Sequence, residues 1–583
     1  MKRPNSLREY RWRVAPRIPD EVRASLANGS QPAPPLLHQI LYNRGLTKPA
    51  EIQAFLDNRY TASRDPFLLA GMETAVNRII QAINNDEQIV VYGDFDADGV
   101  TATVLLTEAL RGFVDDHRQI RPYIPDRVDE GYGLNLEAVS RLREMGATLL
   151  ISVDCGIRSP VEVAHAQSIG LDMIITDHHS IGHTMPDALA VINPKRPDST
   201  YPETMLAGVG IAYKVAQALR IMLPNQATFE EDNLLDLVAI GTVADLAPLQ
   251  GENRKLVAEG LSVLNEVRRP GLAALMNVSG LQPGKLSAEN IGFGLGPRIN
   301  AAGRLAHAYD AAKLLTTTNY RTAQELAQRL DSLNRQRQSL TAELTTHAEE
   351  LIDPEADLLI AGDSTFESGV VGLVASRLAE SYYRPTIIME QGEEESRGSC
   401  RSIPEFHITH ALDEVSDLLE RHGGHAQAAG FTIRNENLPE FTERMQDMAT
   451  AELSGKELRP ALEVDAQISL NDIDWSLQSV LSQLEPTGYS NPTPRLLSRN
   501  LQVRSHRAVG RDGSHLQLVL ASGEPHTAPL PAIAFRQGAW AGELPDSIDA
   551  VYSIGVNEWQ GSRKLQLMIE DIRPAGENGH SEE

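Results

Sequence analysis

Three apolar runs that each end in an acid constrain this chain more than any other feature. EQIVVYGD over 87–94, ATLLISVD over 147–154 and LDMIITD over 171–177 have the length and composition of buried strands. VTATVLLTEAL and PVEVAHAQSIG, which follow the first two, carry helical patterning. Strand and helix in alternation imply a parallel α/β sheet. In an open parallel sheet the carboxyl ends of the strands share one edge, and sites form beyond that edge. The pattern therefore predicts that Asp94, Asp96 and Asp98 of DFDADG, Asp154 of SVDCG, and Asp177, His178 and His179 of TDHHS come together. A fourth acidic position, Asp245 in VADLAPL, follows an apolar stretch of helical or mixed character.

Five or more carboxylates in one crevice repel one another unless cations sit among them. Carboxylate and imidazole donors without thiolate suit Mn²⁺ or Mg²⁺ better than a structural zinc. So many donors predict two ions sharing a bridging carboxylate, roughly 3.5–4 Å apart, one acidifying a water and both holding a phosphate. Other readings of the pieces are weaker. Asp-x-Asp-x-Asp-Gly also opens a calcium loop, but such a loop needs Glu at its twelfth position. Counted from Asp94, that position is Leu105. SVDCG alone reads as a turn. The four segments together predict a metal site.

At 583 residues the chain should divide into three or four domains. Residues 1–84 read as a helical N-terminal segment, with helical spacing in FLLAGMETAVNRIIQAI. Residues 85–317 form the α/β domain with the acids. Residues 318–352 form one long amphipathic helix, with Leu326, Leu330, Leu333, Leu340 and Leu344 along its apolar stripe. Its Arg329, Arg335 and Arg337 fit a solvated connector better than a DNA-facing strut. DPEADLLIAGD opens a second α/β unit over 353–455. Residues 456–574 turn to β: LQVRSHRAVG, HLQLVLAS, PAIAFRQG, AVYSIGV and KLQLMIEDI predict five short strands and a small OB-type barrel. Residues 575–583 read as a disordered tail.

The formal net charge of −26 argues against a protein that coats nucleic acid by charge alone, though not against a locally basic channel. Only Cys155 and Cys400 are present, which excludes a disulfide framework and a cysteine zinc site. The N-terminus has basic residues but no apolar core, and no stretch approaches 18 apolar residues. A cytoplasmic protein without membrane attachment is the expectation.

YGDFDADGVTA, SVDCG, TDHH and VADLAPL resemble the DHH phosphoesterase superfamily. IPDRVDEGYGLN, GPRINAAGRLAHA, SGVVGLVASRL, GSCRSIP, GGHAQAAG and LEPTGYSNPTP, in that order, resemble the bacterial RecJ family over most of the chain. The resemblance implies two α/β domains, of DHH and DHHA1 type, joined by a long helix and followed by an OB barrel. It implies a 5′→3′ exonuclease for single-stranded DNA in repair and recombination, using two Mn²⁺ or Mg²⁺ ions and releasing 5′-mononucleotides. Carried across by motif, Asp96, Asp98, Asp154, His178 and Asp245 are the principal metal ligands and catalytic residues. Asp94 and His179 are in or close to the ligand shell, Asp154 bridges the ions, and a metal-bound hydroxide attacks. A helicase and a single-strand-binding protein are the implied partners of a monomer.

For the strand, Gly423 and Gly424 of GGHAQAAG let backbone approach phosphate, with His425 as donor or gate. A tight turn between helix and strand explains the same motif. Ser399 and Arg401 of GSCRS, with Arg298 and Arg304 of GPRINAAGR, are candidates for a 5′-phosphate pocket, since arginine binds phosphate bidentately. Buried salt bridges would also account for these arginines. Tyr132 between glycines is a candidate for base stacking, and Tyr123 for stacking or core. Trp540 and Trp559 fit packing better than DNA contact. Two positions depart from the family pattern: Phe366-Glu367 stands where Trp-His is usual, and Cys400 where a small residue is usual. Two alternatives compete. One is a DHH phosphodiesterase for short oligonucleotides or nucleotide phosphates, which leaves the β-rich region unexplained. The other is a non-catalytic DNA-binding scaffold, which the intact ligand set opposes.

Overall fold

The structure, a computed structural model, describes residues 10–27, 34–127, 130–131, 133–182, 184–524, 528–559 and 561–576. The chain forms two compact units, one of residues 58–341 with 486–492, the other of 1–57, 342–485 and 493–583.

The first unit is built on five parallel strands: β1 (Ile89–Tyr92), β2 (Ile120–Tyr123), β3 (Leu149–Val153), β4 (Asp172–Thr176) and β5 (Ala190–Ile192). Their order across the sheet is β2-β1-β3-β4-β5. Successive side chains on a strand point to opposite faces. Ile89, Val91, Leu149, Ile151, Val153 and Ile174 accordingly join one core, with helices Met72–Asn84, Ala97–Arg111, Gly208–Met222 and Leu235–Ala244. Val90, Tyr92, Leu150, Met173 and Ile175 join a second core, with helices Leu136–Glu144 and Pro160–Ser168. Burial on both faces is why these strands read as continuous apolar runs rather than alternating ones.

Two strands escape the sequence reading. β2 contains Pro122, which argues against a central strand but is tolerated at a sheet edge, where β2 lies. β5 is only three residues long. The stretch before Asp245 proves to be a helix, Leu235–Ala244, buried from Leu235 to Val243.

The long helix spans Tyr320–Leu351. Ala323, Leu326, Ala327 and Leu330 complete the first core. Arg329 pairs with Asp310 at 3.1 Å and Arg335 with Asp331 at 2.6 Å, and both are well exposed, as the solvated reading expects, whereas Arg337 is half-buried and donates to Asn334 Oδ1 at 3.0 Å.

In the second unit, a five-stranded sheet runs in the order β9 (Leu419–His425), β10 (Ala428–Arg434), β8 (Glu395–Arg401), β7 (Thr386–Gln391), β6 (Leu359–Asp363). Only β6 and β7 pair in parallel. The C-terminal strands β11 (Leu496–Val509), β12 (His515–Ala521), β13 (Leu530–Ala534), β14 (Ser547–Trp559) and β15 (Ser562–Pro574) form a barrel closed by pairing of β14 with β11. Closure removes exposed sheet edges.

Residues 1–84 do not form one helical segment. Arg11–Val14 is a strand paired in parallel with Ala461–Val464. Leu26, Leu37, Ile40, Leu41 and Ile52 pack in the barrel core with Leu516, Ala532 and Tyr552. Residues from 58 onward, including Met72–Asn84, belong to the first unit. Local patterning reveals each amphipathic helix but not which core its apolar face joins. No helix among the described residues is long and apolar enough to cross a membrane.

Candidate metal centre

Because β1, β3 and β4 are parallel neighbours, the segments that leave their carboxyl ends meet. Asp94 and Asp96 follow β1, Asp154 follows β3, and Asp177, His178 and His179 follow β4. Asp98 sits in the first turn of helix Ala97–Arg111, for which Asp96 is the N-cap, accepting from the Asp98 and Gly99 N–H groups at 2.9 and 3.0 Å. Asp245 caps the C-terminal end of helix Leu235–Ala244.

Three groups of donor atoms lie within 4.8 Å of one another: Asp154 with His178 and His179; Asp98 with His178 and Asp245; Asp94 with Asp96 and Asp154. All seven residues expected as metal ligands are thus gathered, and Asp154 and His178 are each shared between two groups. His178 Nε2 lies 3.0 Å from Asp154 Oδ1, 3.8 Å from Asp245 Oδ2 and 3.9 Å from Asp98 Oδ2.

Neighbouring backbone fixes the acids. Asp98 accepts from the Gly208 and Val209 N–H groups at 2.7 and 2.9 Å, at the N-terminus of helix Gly208–Met222. A Cβ on Gly208 would come within 2.6 Å of Asp154 Cβ, and one on Gly241 within 2.7 Å of Asp98 Oδ1. Asp154 itself holds a left-handed backbone, φ 62°, a strained conformation typical of functional sites. Asp177 is not among the grouped donors. Its Oδ2 accepts from the Ile157 N–H at 2.9 Å, and its Oδ1 lies 2.8 Å from His179 Nδ1, so it orients that ring.

The electrostatics match an ion site. Burial, reinforced by Asp96, raises Asp98 to about 7. Burial, reinforced by Asp98 and Asp96, raises Asp245 to about 8. Burial and the neighbouring acids also push Asp94 and Asp154 well above the ordinary carboxylate range. Burial lowers His178 to about 3, which keeps its imidazole neutral and able to ligate. Asp94 Oδ1, Asp154 Oδ1 and His178 Nε2 are buried without a hydrogen-bond partner. Buried polar atoms are ordinarily satisfied. Divalent cations would satisfy all three, so the donor set fits oxygen- and nitrogen-preferring ions such as Mn²⁺ and Mg²⁺.

Two cations of the site carry no weight in the sequence reading. Arg127 stands 4.8 Å over the Phe95 ring, and Asp94 and Asp96 partly offset the lowering of its pKa by burial. Lys195 Nζ donates to the His178 carbonyl at 2.6 Å. The signal for Arg127 was its place in IPDRVDEGYGLN, one strand away from the acids; Lys195 has no local signal.

The substrate candidates fare unevenly. Arg298 forms a partly buried salt bridge, 2.9 Å from Asp331, and also donates to the Gly294 carbonyl. Arg304 lies in the same helix, Gly296–Leu305. On β8, Ser399 and Arg401 share one face, while Cys400 turns into the core with Ile387 and Phe431, so a small apolar thiol is well suited there. Arg401 donates to Ser376 Oγ at 3.1 Å, to the Cys400 carbonyl at 2.8 Å and to Ser399 Oγ at 3.4 Å. GGHAQAAG is a hairpin between β9 and β10, not a turn between helix and strand. Gly424 faces Ala428 and Ala429 too closely for a Cβ, whereas Gly423 has open space. His425 is exposed, and its carbonyl accepts from Thr409 Oγ1. Phe366 is buried against His347, and Glu367 is the exposed N-cap of helix Ser368–Tyr382, where negative charge is favourable. Tyr123 bonds Glu130 and packs on Tyr92. Trp540 packs against the barrel core. Tyr132 lies outside the described residues.

Comparison with known proteins agrees with this geometry. Residues 88–242 match the DHH family N-terminal domain, 355–451 the DHHA1 domain and 464–571 the RecJ OB domain. The chain is 37% identical over 570 residues to the single-stranded-DNA-specific exonuclease RecJ of Bacillus subtilis, covering 97% of this chain and 71% of that one. It is 35% identical over 565 residues to the Escherichia coli RecJ, covering 93% and 96%. The crystal structure of Thermus thermophilus RecJ in complex with Mn²⁺ superposes with a TM-score of 0.82 at 30% identity, covering 97% of this chain and 79% of that one. The chain belongs to the RecJ family of single-stranded-DNA-specific exonucleases.

Proposed function

We propose that this chain is a metal-dependent exonuclease that shortens single-stranded DNA from its 5′ end, releasing 5′-mononucleotides in repair and recombination. The observation that carries this reading is the gathering of seven carboxylate and imidazole ligands, several buried and unsatisfied, at one edge of a parallel sheet. Asp94, Asp96, Asp98, Asp154, His178, His179 and Asp245 would hold two Mn²⁺ or Mg²⁺ ions, with Asp154 common to both. Such ions neutralise charge on the scissile phosphate and make a water acidic enough to act as nucleophile.

The chain's own groups hold this arrangement in place. The Gly208 and Val209 N–H groups fix Asp98, and Asp177 fixes His179. Preset donors need not reorganise during reaction. Arg127 adds positive charge where a phosphate would enter beside Asp94 and Asp96. Ser399 and Arg401 bind the 5′-phosphate: burial lowers the Arg401 pKa, and the partners found for it are neutral oxygens, which a dianionic phosphate would outcompete. Gly423 leaves room for a sugar-phosphate backbone, His425 donates to it, and Arg304 and Tyr132 contribute to the strand path. Arg298 acts through Asp331 as a brace. The protein works as a cytoplasmic monomer, with a helicase and a single-strand-binding protein supplying and presenting the strand.

The test is digestion of a 5′-phosphorylated single strand labelled at its 3′ end, with Mn²⁺ or Mg²⁺, beside a duplex control and Asp98→Ala. Labelled products that shorten progressively, and vanish with the duplex and the variant, are expected. Digestion confined to oligomers of a few nucleotides would overturn the reading in favour of a small-substrate phosphodiesterase.

A further inference from the structure

Next to the acid cluster, the chain turns large apolar side chains into solvent. Phe293 is 82% exposed and Leu246 66% exposed, although each belongs to an otherwise buried segment. Leu246 directly follows the candidate ligand Asp245 and holds a left-handed backbone, φ 58°, which side chains bearing a Cβ resist. Phe293 stands at the centre of a π-helical turn, Ile291–Leu295, between Gly292 and Gly294. Such turns are rare and concentrate at functional sites.

The element carrying Phe293 is anchored to two of the four segments that bear the candidate ligands. A Cβ on Gly292 would lie 3.9 Å from Val243 Cγ1, and one on Gly296 3.3 Å from Ala244 Cβ, immediately before Asp245. The π turn runs on into helix Gly296–Leu305, where Asn300 Oδ1 accepts from the Ala97 N–H at 2.7 Å, between Asp96 and Asp98. Gly303 of that helix packs so closely on Phe95 that a Cβ would stand 2.3 Å from its carbonyl oxygen. Phe293 thus stands on an element packed against the segments of Asp245 and Asp96–Asp98, with most of its side chain exposed.

We propose that Phe293, together with the exposed Leu246 of the Asp245 turn, forms an apolar step on which nucleobases of the substrate strand stack. This inference rests on the exonuclease reading above. A chain of net charge −26 gains little affinity for DNA from its overall field. Base stacking supplies affinity without net charge and tolerates every sequence, because every base has a π face. It also favours single strands, since bases in a duplex are already stacked and paired. A base is the occupant that suits a ring adjoining a phosphate-binding metal site.

The experiment compares kcat and KM on two 5′-phosphorylated single strands, one with bases throughout and one with tetrahydrofuran abasic residues near its 5′ end. Wild type, Phe293→Ala and Phe293→Trp are measured on both. Wild type should prefer the base-bearing strand. Phe293→Ala should shrink that preference about tenfold, chiefly by raising KM, and Phe293→Trp should retain it. The inference falls if Phe293→Ala keeps the wild-type preference, or if wild type degrades both strands equally well. If wild type degrades neither strand, the exonuclease reading itself has failed and the stacking step fails with it.

Discussion

Two sets of carboxylates in the first unit have opposite surroundings. Glu252, on helix Gly251–Glu266, is fully buried but matched by the protein: Lys214 Nζ lies 2.5 Å away, Arg64 Nε 3.1 Å away, and the Tyr201 hydroxyl donates to it. Asp94, Asp98 and Asp154 are buried together, with Asp245 beside them, and among the described residues no lysine or arginine forms an ion pair with any of the four; atoms of Asp94 and Asp154 are left unsatisfied. Burying an unmatched charge is costly, whereas a matched pair can be held. Glu252 is therefore a part of the fold, whereas the aspartates form a cluster that could hold a cation from outside. Burial alone would not have separated them; the partners do.

The contrast should appear first in Asp154→Asn. Exonuclease activity should fall by more than about 10³-fold with loss of a shared ligand. Without metal at pH 8, the variant should melt no lower than wild type, because the neutral amide removes a carboxylate that burial disfavours. A marked drop in that melting temperature would show that Asp154 is structural in the way Glu252 is. Glu252→Ala should do the reverse. Leaving Lys214 buried and unpaired should lower stability by about 3–5 kcal/mol in urea unfolding. The molecules that remain folded should keep their turnover number, and a large loss of it would erase the distinction.

A pH series sharpens the same comparison. Burial raises Asp98 to about 7 and Asp245 to about 8, so their protons must leave before a cation binds. Apparent Mn²⁺ affinity, followed by calorimetry, should weaken as pH falls from above 8 to below 7, by up to about tenfold per unit for each proton displaced. The metal-free protein should respond with the opposite sign. A carboxyl raised in the folded state contributes stability that is fully present below its unfolded value of about 4 and is lost as pH rises through 7 and 8. The thermal shift produced by Mn²⁺ should therefore grow with pH, and a flat shift would argue against proton displacement. The smallest effect concerns the phosphate end. Arg401→Lys should cost about tenfold on 5′-phosphorylated strands and far less on 5′-hydroxyl strands, since lysine lacks the planar fork. Equal losses on both strands would place Arg401 outside end recognition.

How much of this was legible beforehand depended on whether the signal was local. The strands ending at Asp94, Asp154 and Asp177 could be read because strands buried on both faces are continuously apolar. The barrel strands could be read because turn residues punctuate them. Pro122 hid β2, since a proline is compatible with a strand only at an edge, and the edge is a property of the sheet. The pairing of Arg298 with Asp331 could not be read, because Asp331 is distant in sequence. Phe293 drew no attention, because only the exposure of a phenylalanine makes it unusual.

By itself the sequence determined the alternation of strand and helix, the acids at the strand ends, and with them a site for divalent cations, because parallel strands deliver their carboxyl ends to one edge. The tertiary structure alone decided that the described residues of 10–57 join the barrel unit while 58–84 join the unit with the acids, and that Asp177 bonds His179 and stands outside the grouped donors. It also decided which buried acid is paired with lysine and arginine, as Glu252 is, and which acids are clustered with one another. The division has one physical cause. Strand and helix patterns are written in neighbouring residues, whereas partners, burial and charge balance depend on residues that only folding brings together.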